Sequence, residues 1–422
     1  MRHSFRVRNE ASLFWESTVK EKREKKERVL IFSSREICYC SGNFFAHQLA
    51  AAFEELGFAA DICELSPDDD LDAALMPFLG GSYRIAVDFN SMLPRMELEE
   101  GGRYLEQLNA PFFDYILDHP LFHYTGLTSG VKNLHAVVLD EAQEMYVRTY
   151  YPKVATVHTL PLGATEALYQ GEKEPDCRIL FTGTYEDPDR VYALVKEARP
   201  DLRESMERLI ERRVSEPLIP MERALEDLLD EEGTELQPEQ FALCMNEMYA
   251  VDAYIRNYFR KIVLDELLEC GVPVTVMGEG WEKYRHRNAQ NLRRERGVPF
   301  GLSFERIAKA HILLNTAPIF NHGMHDRIAA GMANHAVVLT DSNPYLERNF
   351  KNGRKLCFYS LTKTGDAAEQ AKHLMENNEL RHAIAAEAYE EFLAHHTWRR
   401  RAEQLLVWAD RVSGDFARSL NE

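Results

Sequence analysis

Short apolar runs, each ending in glycine or small polar residues and each followed by a stretch of helical period, alternate along most of this chain. The first, Arg28-Val-Leu-Ile-Phe-Ser-Ser-Arg35, is continuous rather than alternating, the profile of a parallel strand buried on both faces. Ser41-Gly42-Asn43 supplies a loop and a helix cap. Phe45, Leu49, Phe53 and Leu56 then recur on one helical face until Gly57 stops the helix. A strand over 59–65 completes a βαβ unit. Further strands over 84–89, 113–117, 136–139 and 155–160 predict one doubly wound α/β domain spanning 28–175.

The pattern restarts at Cys177-Arg-Ile-Leu-Phe-Thr-Gly183, predicting a second Rossmann-like domain over 176–395. A long helical stretch, about 188–270, follows. Its middle, 222–239, is heavily acidic and breaks at Gly233, so a solvated helical insertion over about 188–255 is expected. Strands return over 272–277, 311–315, 336–340 and 355–359, and amphipathic helices close the chain, including 367–377 and 398–420. Two tandem open sheets place the carboxyl ends of their strands around a shared cleft, which is where such sheets bind ligands.

The chain has 422 residues, enough for two or three domains. The formal net charge of −18 excludes a nonspecific binder of nucleic acid or anionic membrane. Residues 1–27 lack an apolar core and end in a mixed-charge run, so they predict neither a secretory signal nor an anchor. No apolar stretch reaches the roughly 18 residues of a transmembrane helix. Seven scattered cysteines fit a reducing cytoplasm. Cys38 and Cys40 lack the partners of a zinc site and read as core or edge residues.

The familiar phosphate motifs are missing. There is no Gly-x-x-x-x-Gly-Lys-Ser/Thr, and Gly278-Glu279-Gly280-Trp281 holds only half of a dinucleotide fingerprint, which disfavours an ATPase or a dehydrogenase. His322 and His325 lack a third ligand, and no metal site is expected. The informative stretch is 314–346: a strand, a polar loop containing Gly323, a helix start at His325-Asp326-Arg327, and a strand ending at Thr340-Asp341.

This stretch resembles the donor-binding half of GT-B glycosyltransferases, most closely the family of the spore maturation protein CgeB. Other segments agree in order: Phe181-Thr-Gly183-Thr-Tyr185, Ile255-Arg-Asn-Tyr-Phe-Arg260, Val276-Met-Gly278-Glu-Gly280-Trp281, and His396-Thr-Trp398 with Arg401-Ala402. Leu117-Asp118-His119-Pro120-Leu121, Asp140 and Leu160-Pro161-Leu-Gly163 resemble the acceptor-side domain. The resemblance implies a GT-B fold of two Rossmann-like domains, with 396–422 packing back across the hinge. It also implies a nucleotide diphosphate sugar as co-substrate, no required cofactor and no metal. Many retaining members carry two glutamates eight positions apart. Here those positions hold His322 and Ala330, and His335 stands where glycine is common, which leaves the anomeric outcome open.

A diphosphate needs backbone N–H groups at a helix start and one or two cations. Gly323 permits close backbone approach, and Arg327 can make charge-assisted bonds to phosphate. Asp326 suits either a ribose hydroxyl or the helix cap. Gly183, Gly278 and Gly280 follow apolar strands and permit either a tight turn or close nucleotide approach. Trp281 reads as core. Arg256 and Arg260 share a helix face, and Arg260 is the candidate diphosphate ligand there. His325 and Asp341 complete the donor set. Across the cleft, Asp118 or His119 can serve as the base that accepts the acceptor's hydroxyl proton, or each can be a loop-stabilising residue. Gly42 and His123 complete the acceptor side. A glycosyltransferase acting on a glycan, a lipid-linked sugar or a protein is the leading reading. A sugar-nucleotide epimerase of the same fold and a non-catalytic scaffold are the alternatives.

Overall fold

The computed structural model describes residues 26–34, 40–66, 70–97, 102–170, 172–174 and 177–419. Most of the charged leader, and Cys38, lie outside the described residues. Strands β1 (Arg28–Ser34), β2 (Ala59–Leu65), β3 (Ala86–Phe89), β4 (Phe112–Tyr115), β5 (Leu134–Val138) and β6 (Thr156–Thr159) form one sheet, ordered β2-β1-β3-β4-β5-β6. A second sheet contains β7 (Ile179–Thr182), β8 (Val274–Met277), β9 (Leu292–Glu295), β10 (Ile312–Asn315), β11 (Val337–Asp341) and β12 (Cys357–Tyr359), ordered β12-β11-β10-β7-β8-β9. Every pairing is parallel.

Parallel sheets arise here because the strands are apolar on both faces. In β1, Val29 and Ile31 pack with Phe45, Leu49 and Phe53 of the helix Ser41–Glu55, whereas Leu30 and Phe32 pack with Leu75 and Tyr104 on the opposite face. Each such side chain contributes about 1.5–3 kcal/mol by leaving water. Strand β9 escapes the sequence pattern because it reads Leu-Arg-Arg-Glu. Among the described residues it pairs only with β8, and charged residues suit an edge. The strand order reverses between β1 and β3 and between β7 and β10, so a crevice opens at the carboxyl ends of both pairs.

The helical stretch is five helices, Pro188–Glu197, Pro200–Ser215, Met221–Glu231, Pro238–Glu247 and Tyr249–Glu269. The expectation of a solvated acidic run holds over 230–239, where Asp230, Glu231, Glu232, Glu235 and Glu239 are exposed, and needs correction only before it. Met221–Glu231 buries Met221, Ala224, Leu225 and Leu228 along one side, and its outward acids pair with Arg208 and Arg223. Glu222, also in that run, is itself buried. Phe241 of the next helix stacks on Tyr150 at 4.0 Å, so the insertion leans on the first sheet's helices. Cys40 is likewise not a strand residue. It is exposed and left-handed (φ 59°) at the start of the first helix, and the six described cysteines are free.

The last helix, Trp398–Ser419, packs against Ser41–Glu55, with Trp398 5.6 Å from Phe45. Gly163 makes that crossing possible, because a Cβ there would come within 2.9 Å of the Trp398 backbone. Among the described residues, no helix is long and apolar enough to cross a membrane.

Candidate functional site

Between the two sheets lies a cleft of about 500 Å³. Its C-terminal wall is built from strand ends: Thr182, Gly183 and Thr184 after β7, Gly278 after β8, Thr316 and Ala317 after β10, and the helix start His325-Asp326-Arg327. Arg256 and Arg260 join them from the helix Tyr249–Glu269. Three guanidinium groups thus meet on one wall of a protein whose net charge is −18.

Packing fixes the arginines. Arg327 Nη1 donates to Asn315 Oδ1 at 2.6 Å. The Phe181 ring lies 5.3 Å from the Arg327 guanidinium and 5.2 Å from that of Arg260, so one aromatic ring stacks with both. Arg260 also donates to the Thr184 carbonyl, and Arg256 pairs with Asp252. Asn315 is anchored in turn by Thr340 Oγ1 (2.9 Å) and by Tyr359, whose hydroxyl donates to the Asn315 carbonyl at 2.7 Å. Asp341 does not line the cleft. It accepts the Ala317 N–H at 2.9 Å and shapes the turn after β10, and burial pushes its carboxyl up to about 6.

The helix Asp326–Ala333 is capped by His325, whose Nδ1 lies 3.2 Å from the Arg327 N–H, so Asp326 is the first helical residue and not the cap. The same Nδ1 faces the Asp326 carboxylate. It caps the helix when deprotonated and donates to the carboxylate when protonated. Burial, which alone raises a carboxyl, is outweighed at Asp326 by His325 and Arg327, which lower it to about 2. Burial and Arg327 lower His325.

The glycines divide into two kinds. Gly183 and Gly278 line the cleft back to back: a Cβ on Gly278 would sit 2.2 Å from the Gly183 carbonyl oxygen. Trp281, buried as expected, donates its indole N–H to that same carbonyl at 2.7 Å. Gly280 instead turns the chain against Tyr185, whose carbonyl oxygen would be 2.0 Å from a Cβ. Gly323 does not open toward the cleft either. It bridges Asp140 at the end of β5, with the Leu139 carbonyl oxygen 2.5 Å from where a Cβ would be.

That bridge is part of a clasp. Asp140 caps the helix Glu141–Tyr150 through the Ala142 N–H (2.7 Å) and also accepts the His322 N–H (2.7 Å), while Glu141 donates its N–H to the His322 carbonyl (3.1 Å). The buried Arg213 donates to the carbonyls of Pro217, Ile219 and Pro318, and Asn321 donates to Pro217 at 3.0 Å. Asn343 donates to the carbonyls of Phe320 and Gly323. The loop between β10 and the helix Asp326–Ala333 is therefore tied to both sheets and to the insertion.

On the opposite wall, Ser41, Phe45, Leu117, Asp118, Leu139 and Leu162 face the cleft. Asp118 stands at the end of β4 beside Asn90, whose Nδ2 donates to Asp118 Oδ2 at 3.2 Å. His119 points away from the cleft. Its Nδ1 accepts the Leu121 N–H (3.1 Å), and its Nε2 lies 3.3 Å from Glu222. A ring held at both nitrogens inside the protein is a strut between the first sheet and the insertion, which removes the geometric basis for His119 as the base. His119→Ala should cost about 1–3 kcal/mol by stranding buried Glu222 while nucleotide affinity stays unchanged, as chemical denaturation and calorimetry would show. His123 sits behind Asp118, where burial pushes its imidazole down to about 4 against the pull of the carboxylate. Gly42 is buried in the first helical turn, and its neighbour Ser41 lines the cleft. Of the two positions that hold glutamate in many retaining enzymes, Ala330 lines the cleft and His322 does not.

Behind the Asp118 wall, Asp88 on β3 and Asp114 on β4 are register partners, 2% and 0% exposed. Burial and the proximity of the two carboxyls push Asp88 up to about 7, and burial pushes Asp114 up to about 6. Cys63 and Arg95 face the pair. A carboxyl raised in the folded state carries a penalty that is absent below the unfolded value, near 4, and complete above about 7. Asp114→Asn removes the like charge and can keep both contacts to Ser91. Its stability relative to wild type should therefore be greater at pH 8 than at pH 5, as paired urea titrations would show. The lowered histidines, His123 and His135, act in the opposite direction below about pH 6 but equally in both proteins.

The sequence reading missed Phe181, Asn315, Asn90 and Glu222. Asn315 carried the one available signal, a polar residue closing the otherwise apolar run Ile312-Leu-Leu.

Residues 256–407, which carry Arg256, Arg260, Gly278 and the loop to Arg327, match the family described as Glycosyl transferase-like. No protein of curated function matches the chain in sequence. Among solved structures, the sucrose-phosphate synthase of Thermosynechococcus elongatus is similar over 92% of this chain and 100% of its own, at 10% identity and a TM-score of 0.53. AviGT4, a glycosyltransferase involved in avilamycin A biosynthesis, is similar over 91% of this chain and 97% of its own (10% identity, TM-score 0.52). HepE from Anabaena, solved in complex with UDP, is similar over 92% of this chain and 100% of its own (9% identity, TM-score 0.50). The chain thus has the two-domain GT-B fold and carries a glycosyl transferase-like domain in its C-terminal half.

Proposed function

We propose that this chain transfers a sugar, of hexosyl type, from a nucleoside diphosphate sugar to an acceptor hydroxyl. The observation that carries this reading is the pairing of walls: Arg256, Arg260 and Arg327 with Gly183 and Gly278 on one side, and the Asp118 carboxylate on the other. In the transfer, the acceptor oxygen bonds to the anomeric carbon, the bond from that carbon to the diphosphate breaks, and the acceptor proton passes to Asp118. The arginines stabilise the charge that develops on the leaving diphosphate. Three guanidinium groups can neutralise a diphosphate, so the reading includes metal independence. It also assigns 28–175 to the acceptor and 176–395 to the donor, and places the protein in the cytoplasm among CgeB-like enzymes.

A thermal-shift panel of UDP, GDP, dTDP, CDP and ADP, with and without EDTA, tests it. UDP, which HepE holds, comes first. Saturation at ~100 times Kd adds about 2.7 kcal/mol to the folded state. A selective, EDTA-insensitive shift, followed by release of that diphosphate from its sugar conjugate, supports the reading. No shift with any of the five overturns it.

A further inference from the structure

Asn90 and Ser91 follow β3 with φ values of 62° and 55°, two consecutive left-handed residues that are not glycine. Asparagine tolerates this conformation and serine does so poorly, so the turn must be held from outside. Asp114 accepts the Ser91 N–H at 2.9 Å and its hydroxyl at 2.5 Å. Asp88 accepts the N–H groups of Phe89 and Leu93, each at 2.8 Å. Arg95 Nε donates to the Ser91 carbonyl at 3.0 Å, and Gly126 leaves room for the turn, since a Cβ there would meet the Ser91 Cβ at 2.6 Å. Two buried carboxylates and an arginine thus serve one strained turn.

What that turn presents is the Asn90 side chain. Asn90 grips the exit of β4 at three points: its N–H donates to the Tyr115 carbonyl (3.0 Å), its Oδ1 accepts the Leu117 N–H (2.7 Å), and its Nδ2 donates to Asp118 Oδ2 (3.2 Å). The first two contacts fix the backbone that carries Asp118, and the third fixes the rotation of its carboxylate. We infer that Asn90 is the positioning residue for Asp118, occupying one carboxylate oxygen so that the other is presented to the acceptor hydroxyl. The inference rests on Asp118 being the base in the reading above.

The test uses the full chain and the nucleotide sugar whose diphosphate gives the largest thermal shift, with water as the acceptor of last resort. Asn90→Gly keeps the left-handed backbone and removes the amide. It should lower kcat by about 10- to 100-fold, with donor KM and nucleotide Kd unchanged within twofold and the melting transition intact. Asn90→Asp keeps the acceptor for the Leu117 N–H but sets a carboxylate against Asp118, and should be impaired at least as much. In an Asp118→Asn background, Asn90→Gly should cause no further loss, because it acts through Asp118. An Asn90→Gly variant with kcat within twofold of wild type, or a full additive loss in the double variant, overturns the role of Asn90 and leaves the transferase reading standing. Wild-type protein that binds none of the diphosphates and turns over no donor overturns both.

Discussion

Arg327→Ala should weaken nucleoside diphosphate binding by about 100-fold or more, near 3 kcal/mol, in an isothermal titration. The guanidinium is already oriented by Asn315 and stacked against Phe181, so it meets a diphosphate with little ordering cost. Burial in the cleft works against its charge, and Asp326 and Asp341 offset that. Removing it leaves Asp326 on the cleft wall with one of the two groups that screen it gone, so attraction is lost and repulsion gained. Arg327→Lys restores the charge but neither the planar fork nor the stacking, and should recover only part of the affinity. A Kd within threefold of wild type in Arg327→Ala would place the diphosphate elsewhere.

Gly278→Ala should be damaging in a different way, lowering stability by about 3 kcal/mol and removing nucleotide affinity together. At φ 152° the backbone is open to glycine, and the added Cβ would lie 2.2 Å from the Gly183 oxygen and 2.7 Å from its carbon, atoms of a backbone that cannot rotate away. Relief requires moving the Gly183 turn, which holds the Trp281 N–H on one side and lies 3.4 Å, by its own virtual Cβ, from Arg327 Nη2 on the other. Gly353→Ala provides the comparison, since Gly353 has φ 75° but open space around it, and should cost only about 1 kcal/mol and leave binding intact. Equal effects of the two substitutions in urea denaturation would show that backbone strain, and not the packing of the two turns, governs the site.

The sheets were legible because buried parallel strands are written as contiguous apolar runs: β2 falls on its predicted residues, and most other strands lie within two residues of theirs. β9 was not, because an edge strand needs no such run and its pairing with β8 is a tertiary fact. The glycines and Arg327 could be read at strand ends, where local sequence dictates local geometry. The role of His119 as a strut was not legible, because its partner Glu222 lies 103 residues away in a stretch whose composition reads as solvent-facing. Asp118 beside Asn90 is the same case, since a clasp between two strand ends depends on sheet order and leaves no periodic trace. Gly323 was read as leaving room for a donor to approach the backbone, whereas what approaches it is the chain after β5.

The clasp at 320–323 bears on how such a site can change over time. Connections between strands and helices ordinarily absorb insertions, because nothing holds their middle. This one is pinned at Phe320 and Gly323 by Asn343, at Asn321 through the carbonyls shared with Arg213, and at His322 by Asp140, so an added residue would break register with two sheets at once. Its length is in effect a fixed dimension of the molecule, and if the cleft holds the donor as proposed, preference is left to diversify by exchange of side chains on a constant backbone, such as Ala330 on the cleft wall.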